Sequence, residues 1–296
     1  MKIIFMGTPD FAVPSLDAIK QDVIAVVSQP DRPKGRGHKL QPTPVKAFAE
    51  QNNLPVFQPL KVRAPEVIAQ IAELKPDLIV VVAFGQILPQ ALLDVPKFGC
   101  INVHASLLPK LRGAAPIEWS LINGERVTGI TTMLMNAGLD TGDMLLSETV
   151  PIDDDMILPE LRERLMTVGA KLLVKTIDNL ADIKPIKQDD SLSTYAPLLK
   201  KDTGLIDWNK PAREIHNLVR GLYGSARAGK FKIWRTRLAE GSLASAQVKV
   251  DGQRLFVGTG DGTLEILEIQ APNAKKLNAA DFLRGNKVGD NFWTNA

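Results

Sequence analysis

The sequence predicts an α/β domain on a mostly parallel sheet, followed by a small β-barrel. Three observations predict it. Short β-branched runs alternate with longer stretches of helical period over the first 180 residues or so. After residue 206 the texture changes to short strands broken by Asp251-Gly252 and Asp261-Gly262 turns. A chain of 296 residues is also long enough for two ordinary domains.

Taken in order, the strand of residues 3–6 runs into Gly7-Thr8-Pro9-Asp10, where glycine permits a tight turn and Thr8 and Pro14 suit helix entry. Further strands are expected at 23–28, 78–83, 100–104, 130–135 and 144–150. Residues 158–180 carry Leu161, Leu165, Val168, Leu172, Leu173, Ile177 and Leu180 at helical spacing and predict one long amphipathic helix. Residues 183–203 are polar and irregular. Ile206-Asp207-Trp208 then opens the second texture, with a short helix at 211–221 and strands at 231–234, 246–250, 255–258 and 264–269. The expected division is a first domain of residues 1–182, a linker of 183–205 and a second domain of 206–296.

Composition removes several classes. With 45% hydrophobic and 23% charged residues and a net charge of +3, the chain is globular, not disordered or fibrous. The apolar run of residues 78–84 is far shorter than the roughly 20 residues of a membrane span. The apolar stretch after Lys2 is too short for a secretory signal. A single cysteine, Cys100, excludes an internal disulfide and a Cys-rich zinc module, which leads us to expect a reducing, cytoplasmic setting. Neither Gly-x-Gly-x-x-Gly nor Gly-x-x-x-x-Gly-Lys-Ser/Thr occurs, which disfavours a dinucleotide or triphosphate enzyme. Residues 206–296 hold 14 Lys and Arg against 9 Asp and Glu, net +5, so the remaining 22 and 24 leave −2 for residues 1–205. A basic small domain beside a near-neutral one suits an anionic partner, RNA being the obvious candidate, although an ordinary solvated surface has the same charge.

Of the three histidines, His38, His104 and His216, the second stands out. It ends the strand Cys100-Ile101-Asn102-Val103-His104, and period-two geometry turns Asn102 and His104 to one face. At the carboxyl edge of a parallel sheet, an amide and an imidazole side by side can stabilise a developing oxyanion. Downstream, Gly138-Leu139-Asp140-Thr141-Gly142-Asp143 lies between two strands, and its glycines allow a tight loop to present Asp140. A carboxylate, an imidazole and an amide suffice for acyl transfer to an amine, without a Ser or Cys nucleophile. The plainer alternatives are a strand-end histidine satisfied by backbone and an ordinary Asp-Thr-Gly turn.

These residues occur together with Met6-Gly7-Thr8-Pro9-Asp10-Phe11, Gln29-Pro30-Asp31-Arg32-Pro33-Lys34-Gly35-Arg36-Gly37 and Ala83-Phe84-Gly85-Gln86-Ile87-Leu88-Pro89. They are joined by Ala105-Ser106-Leu107-Leu108-Pro109 and Arg112-Gly113-Ala114-Ala115-Pro116. Over nearly its whole length the chain resembles the folate-dependent formyltransferases, and among them those that act on a charged tRNA. The resemblance implies a Rossmann-like formyltransferase domain followed by an OB-like barrel. It implies 10-formyltetrahydrofolate as formyl donor, methionyl initiator tRNA as acceptor, and no metal. Asn102, His104 and Asp140 match the catalytic set. Ser106, Leu107, Leu108 and Pro109 match the folate-binding segment, and Phe84, Gln86, Ile87 and Leu88 look like another part of the pterin pocket.

The resemblance also gives a role to the segment from Arg32 to Lys39, which is basic, punctuated by glycine and too polar for a core. Such a loop can follow phosphates. In the tRNA enzymes the corresponding loop enters the acceptor arm, which makes Arg36 the expected key contact, with Lys34 and Lys39 beside it. Two departures accompany the match. Tyr223-Gly224-Ser225-Ala226-Arg227-Ala228-Gly229 stands where those enzymes carry a Pro-Trp-Pro stretch, and Asp154-Asp155-Met156-Ile157 lacks the Thr and Gly expected before the long helix. Cys100, His216 and the four tryptophans read as packing residues, and Asp153-Asp154-Asp155 as a helix-entry cluster, not a metal site. The function expected is formyl transfer to methionyl initiator tRNA for translation initiation, by a monomer. The alternatives are a formyltransferase for a sugar-nucleotide or other small amine, and a folate- and RNA-binding module without turnover.

Overall fold

The computed structural model describes residues 1–34, 39–289 and 293. The chain divides into two compact units, one of Met1–Gly113, Thr128–Val150 and Arg162–Tyr195, the other of Ala114–Val127, Pro151–Leu161 and Ala196–Ala296. The units interleave along the chain, a feature that periodicity does not signal.

The first unit is built on β1 (Ile3–Gly7), β2 (Val23–Val27), β3 (Val56–Phe57), β4 (Leu78–Val82), β5 (Cys100–His104), β6 (Val127–Leu134) and β7 (Met144–Pro151). They form one sheet in the order β7-β6-β5-β4-β1-β2-β3. From β3 to β5 every neighbouring pair is parallel, and β6 then runs antiparallel to β5. This is the mostly parallel, Rossmann-like sheet expected. β1 and β4 are buried at every residue, as strands covered on both faces must be. Ile4, Met6, Ala25, Val27, Ile79 and Val81 form one core layer with Ile71, Leu92 and Leu93 from the helices Pro65–Glu73 and Gln90–Leu93. Each such fully buried aliphatic side chain stabilises the fold by roughly 1.5–3 kcal/mol. Cys100 belongs to this layer, and burial pushes its thiol up to about 12, so it is an inert packing residue.

The shortest strands were not legible as periodicity: β3, the antiparallel pair Arg32–Lys34 with Lys39–Gln41, and the two-residue Arg112–Gly113, Tyr195–Ala196, Arg227–Ala228 and Leu277–Asn278. Each is two or three residues long, below the length at which alternation can be counted.

The second unit carries β8 (Arg227–Ala228), β9 (Phe231–Ala239), β10 (Val248–Asp251), β11 (Arg254–Gly258), β12 (Thr263–Gln270) and β13 (Leu277–Asn278). They make an antiparallel sheet in the order β8-β9-β12-β11-β10, with β13 on β12. The β9 strand is five residues longer than periodicity suggested. Its register on β12 shifts at Ile233–Arg235 and again at Arg235–Thr236, which breaks the alternation where Arg235 and Arg237 would otherwise mark an outward face. Ile215 and Val219 of the helix Ala212–Gly221 pack with Ile233, Leu255, Val257, Leu264 and Ile266, and Ile122 of the helix Pro116–Ile122 adds to this core.

The two sequence departures have local answers. Tyr223 stacks edge-on against Trp234 at 5.1 Å, and Lys276 lies over both rings, at 5.4 and 5.3 Å. Gly224 has φ +83°, and a Cβ there would lie 2.6 Å from the Trp234 ring, so only glycine brings the chain this close. At the start of the helix Leu158–Asp178, the Ile157 N–H donates to the Glu160 carboxylate at 3.1 Å, a cap made without Thr or Gly. His216 is buried, with Nε2 donating to the Asp154 carbonyl and Nδ1 against the Thr236 hydroxyl, each at 3.0 Å. A carbonyl can only accept, so Nε2 carries the hydrogen and the ring is a neutral strut whose pKa burial lowers.

Candidate active site

β5 carries its residues in a run of five ending at His104, and its parallel pairing sets Val81 of β4 opposite Asn102. The carboxyl ends of two adjacent parallel strands therefore open at one level, where such sheets place ligands. Asn102 and His104, two residues apart, share a face. The loop after β6 carries Asp140 back to both of them. Asn102 Nδ2 donates to Asp140 Oδ1 at 3.4 Å, and His104 Nδ1 stands 3.7 Å from Asp140 Oδ2. The Gly113 N–H donates to the same Oδ2 at 2.8 Å. The side chains of His104 and Asp140 are only 6% and 14% exposed, so their interaction is weakly screened.

The tautomer follows from the second ring nitrogen. His104 Nε2 lies 2.9 Å from the Leu111 carbonyl oxygen, which can only accept, so Nε2 is protonated. Nδ1 is then the nitrogen without a backbone partner, and it is the one facing the carboxylate. Asp140 has φ +53°, a left-handed conformation that costs a non-glycine residue about 1–2 kcal/mol. Gly142 sits where an added Cβ would lie 1.7 Å from the Leu134 carbonyl oxygen, and the Leu134 N–H closes the loop on the Asp143 carbonyl at 2.9 Å.

The residues assigned to folate fall into two kinds. Phe84 and Leu88 are core side chains, 2% and 3% exposed, packed in the layer with Ile4 and Met6. Gln86 is spent on backbone, its oxygen accepting from Val62 N at 2.7 Å and its nitrogen donating to Pro59 O at 3.3 Å. Ile87, at 85% exposed, is the side chain of this stretch that meets solvent. Ala83 and Gly85, with φ +46° and +83°, turn the chain on either side of Phe84. In the other segment, Ser106 is buried, its hydroxyl donating to Lys110 O at 2.6 Å, while Thr131 donates to Ser106 O and accepts from Leu108 N. Leu108 is buried, Leu107 and Pro109 are half-buried, and the Leu108-Pro109 peptide is cis.

Lys34 and Lys39 pair through their backbones. Arg36 lies outside the described residues. A cleft of about 420 Å³ adjoins this pair, lined by Thr8, Gln29, Arg32, Gln41, Thr43 and Phe84 among others, and the Asn102–His104–Asp140 cluster is not part of its wall. Among the described residues, no three His, Cys, Asp or Glu converge as a metal-binding group, and no helix is long and apolar enough to cross a membrane.

Sequence reasoning missed Gln188. It lies in the polar segment read as linker, yet it is 5% exposed and hydrogen-bonded to the Asp140 loop and to Arg112. A polar residue in an aperiodic stretch gives no signal of burial.

Residues 1–177 match the family model described as "Formyl transferase", and residues 198–287 match "Formyl transferase, C-terminal domain". The chain is 52% identical to a methionyl-tRNA formyltransferase of Citrifermentans bemidjiense, over 97% of this chain and 94% of that protein. It is 53% identical to one of Geobacter metallireducens, over 97% and 96%. Among solved structures, an N-formyltransferase from Helicobacter canadensis, in complex with folinic acid and dTDP-3-aminofucose, superposes with a TM-score of 0.69 at 21% identity. That match covers 94% of this chain and all of that one.

Proposed function

The chain belongs to the formyl transferase family, and we propose that it moves a formyl group from 10-formyltetrahydrofolate to the amino group of methionyl initiator tRNA. The observation that carries the chemistry is the meeting of Asn102, His104 and Asp140 at the ends of two parallel strands. The acceptor follows from identity above 50% along nearly the full chain to enzymes that act on methionyl-tRNA.

The folate supplies the formyl group. A C–N bond forms between the amino nitrogen and the formyl carbon, the bond from that carbon to the folate nitrogen breaks, and the proton shed by the amine goes to the departing nitrogen. Of the two hydrogens on Asn102 Nδ2, one meets Asp140 and the second is left to meet the oxygen on which charge develops. His104 Nδ1, 3.7 Å from Asp140 Oδ2 and so not hydrogen-bonded to it, is the second polar group set at the reacting centre. Asp140, fixed by Gly113 N–H, is placed to take the amine's proton and pass it on. The amine of an aminoacyl ester titrates near neutrality, so a modest base suffices, and placement does most of the work.

Folate binding falls to residues 84–88 and 106–109, with Ile87 the side chain presented and the backbone around Gly85 the polar edge. The tRNA is held by Arg36, Lys34 and Lys39 and by the basic second domain.

Arg36→Ala is expected to weaken charged-tRNA binding and to lower the slope of log affinity against log salt by about 1, with folate affinity unchanged. Titration of both ligands across a salt series checks this. Equal loss of both affinities would indicate a folding defect. Failure of bulk tRNA to compete at all would favour a sugar-nucleotide acceptor instead.

A further inference from the structure

We propose that Gln188 is a positioning residue that sets the Asp140 carboxylate against Asn102 and His104. This rests on the reading of Asp140 as the carboxylate of the formyl-transfer site.

The Gln188 side-chain nitrogen donates to two carbonyls of the loop, Asp140 O at 2.8 Å and Gly142 O at 2.7 Å. Its oxygen accepts twice from Arg112, from Nε at 3.0 Å and Nη2 at 2.8 Å. A guanidinium can only donate and a backbone carbonyl can only accept, so the amide has one workable orientation and all four bonds are fixed together. Arg112 is itself 2% exposed and is anchored at Nη2 by Asp190 at 2.8 Å.

The ring closes on the reacting groups. Leu111, just before Arg112, offers the carbonyl that fixes the His104 tautomer, and Gly113, just after it, donates to Asp140 Oδ2. Residues 111–113 thus touch the histidine and the carboxylate by backbone, while the Arg112 side chain reaches round through Gln188 to the loop that carries Asp140. A left-handed Asp140 persists only where its surroundings over-determine it, and the two donations from Gln188, one to its own carbonyl, supply that constraint. Without them the Asp140 and Gly142 carbonyls lose their side-chain donor, while the loop keeps its contacts to Asn102 and Gly113 and its own Thr141–Asn136 and Leu134–Asp143 bonds.

The test is a mutant cycle. Gln188→Glu keeps an acceptor for Arg112 and turns oxygen lone pairs toward the two loop carbonyls. Single-turnover formyl transfer from 10-formyltetrahydrofolate to methionyl-tRNA is expected to slow by about 10- to 100-fold, with KM for both substrates within about twofold. In an Asp140→Ala background the same change is expected to slow transfer no further, because Gln188 acts through Asp140. An equal loss in both backgrounds, or a rise in KM with unchanged turnover, would overturn the positioning role. Full activity of Asp140→Ala would instead remove the carboxylate reading on which it rests. Impaired Asp140→Ala beside fully active Gln188→Glu would remove the positioning role alone. Should Gln188→Glu fail to give a cooperative melt, Gln188→Asn, which keeps both groups on a shorter stem, enters the same cycle with the same outcomes.

Discussion

Replacing His104 by alanine, or Asn102 by alanine, is expected to lower turnover by roughly two to three orders of magnitude, the loss typical of one preorganised donor. Both side chains sit on β5, a strand whose residues Ile101 and Val103 are buried in the sheet and whose backbone is paired on both sides, so truncation should leave the backbone in place. His104 also holds the Leu111 carbonyl, and its removal leaves that buried acceptor unmatched, a cost of about 1–3 kcal/mol in stability that a melting curve would register separately. Folate affinity should change little in either variant, since neither residue lies in the two segments assigned to the donor. Wild-type-like turnover in a purified, folded variant would take that residue out of the chemistry.

Gly142→Ala is expected to be nearly as damaging, although a glycine has no side chain to offer the chemistry. A Cβ at this position would lie 1.7 Å from the Leu134 carbonyl oxygen and 2.8 Å from its carbon. Both are backbone atoms of the central sheet and cannot rotate aside. The hydrogen bond from Leu134 N to Asp143 O must open, and the carbonyl that Gln188 holds moves with it. Displacing Asp140 by about 1 Å is enough for a loss of about 100-fold. The measurement is turnover together with circular dichroism. An active Gly142→Ala would show that the loop tolerates a shift, and that Asp140 needs no such exact placement.

Much of this was legible from the chain. The Asn-x-His spacing on a strand can present both groups only to one face, and the glycines around Asp140 mark a loop tight enough to return to it. β5 was bounded as the structure has it, because Asn102 and His104 alternate with the apolar Ile101 and Val103. What escaped reading has physical causes. The burial of Leu88 is hidden because an aliphatic residue beside a pocket looks the same as one lining it, whereas Phe84 is both a core side chain and part of the cleft wall. Gln188 and the Arg112 side chain are buried by pairing with each other, and hydrophobic patterning is blind to polar groups that satisfy one another. The antiparallel turn of β6 and the clustering of residues 114–127 and 151–161 with the second unit depend on contacts distant in sequence, such as Ile122 against the C-terminal core.

Rapid-quench formylation with saturating 10-formyltetrahydrofolate and charged initiator tRNA tests the assignment most directly. Formyl-methionyl-tRNA should appear in the first turnover with the native chain, and Asp140→Asn should lose that product while still binding both substrates. A native chain that binds both and forms no such product, or that formylates an amino-sugar nucleotide and leaves the charged tRNA untouched, would contradict the assignment.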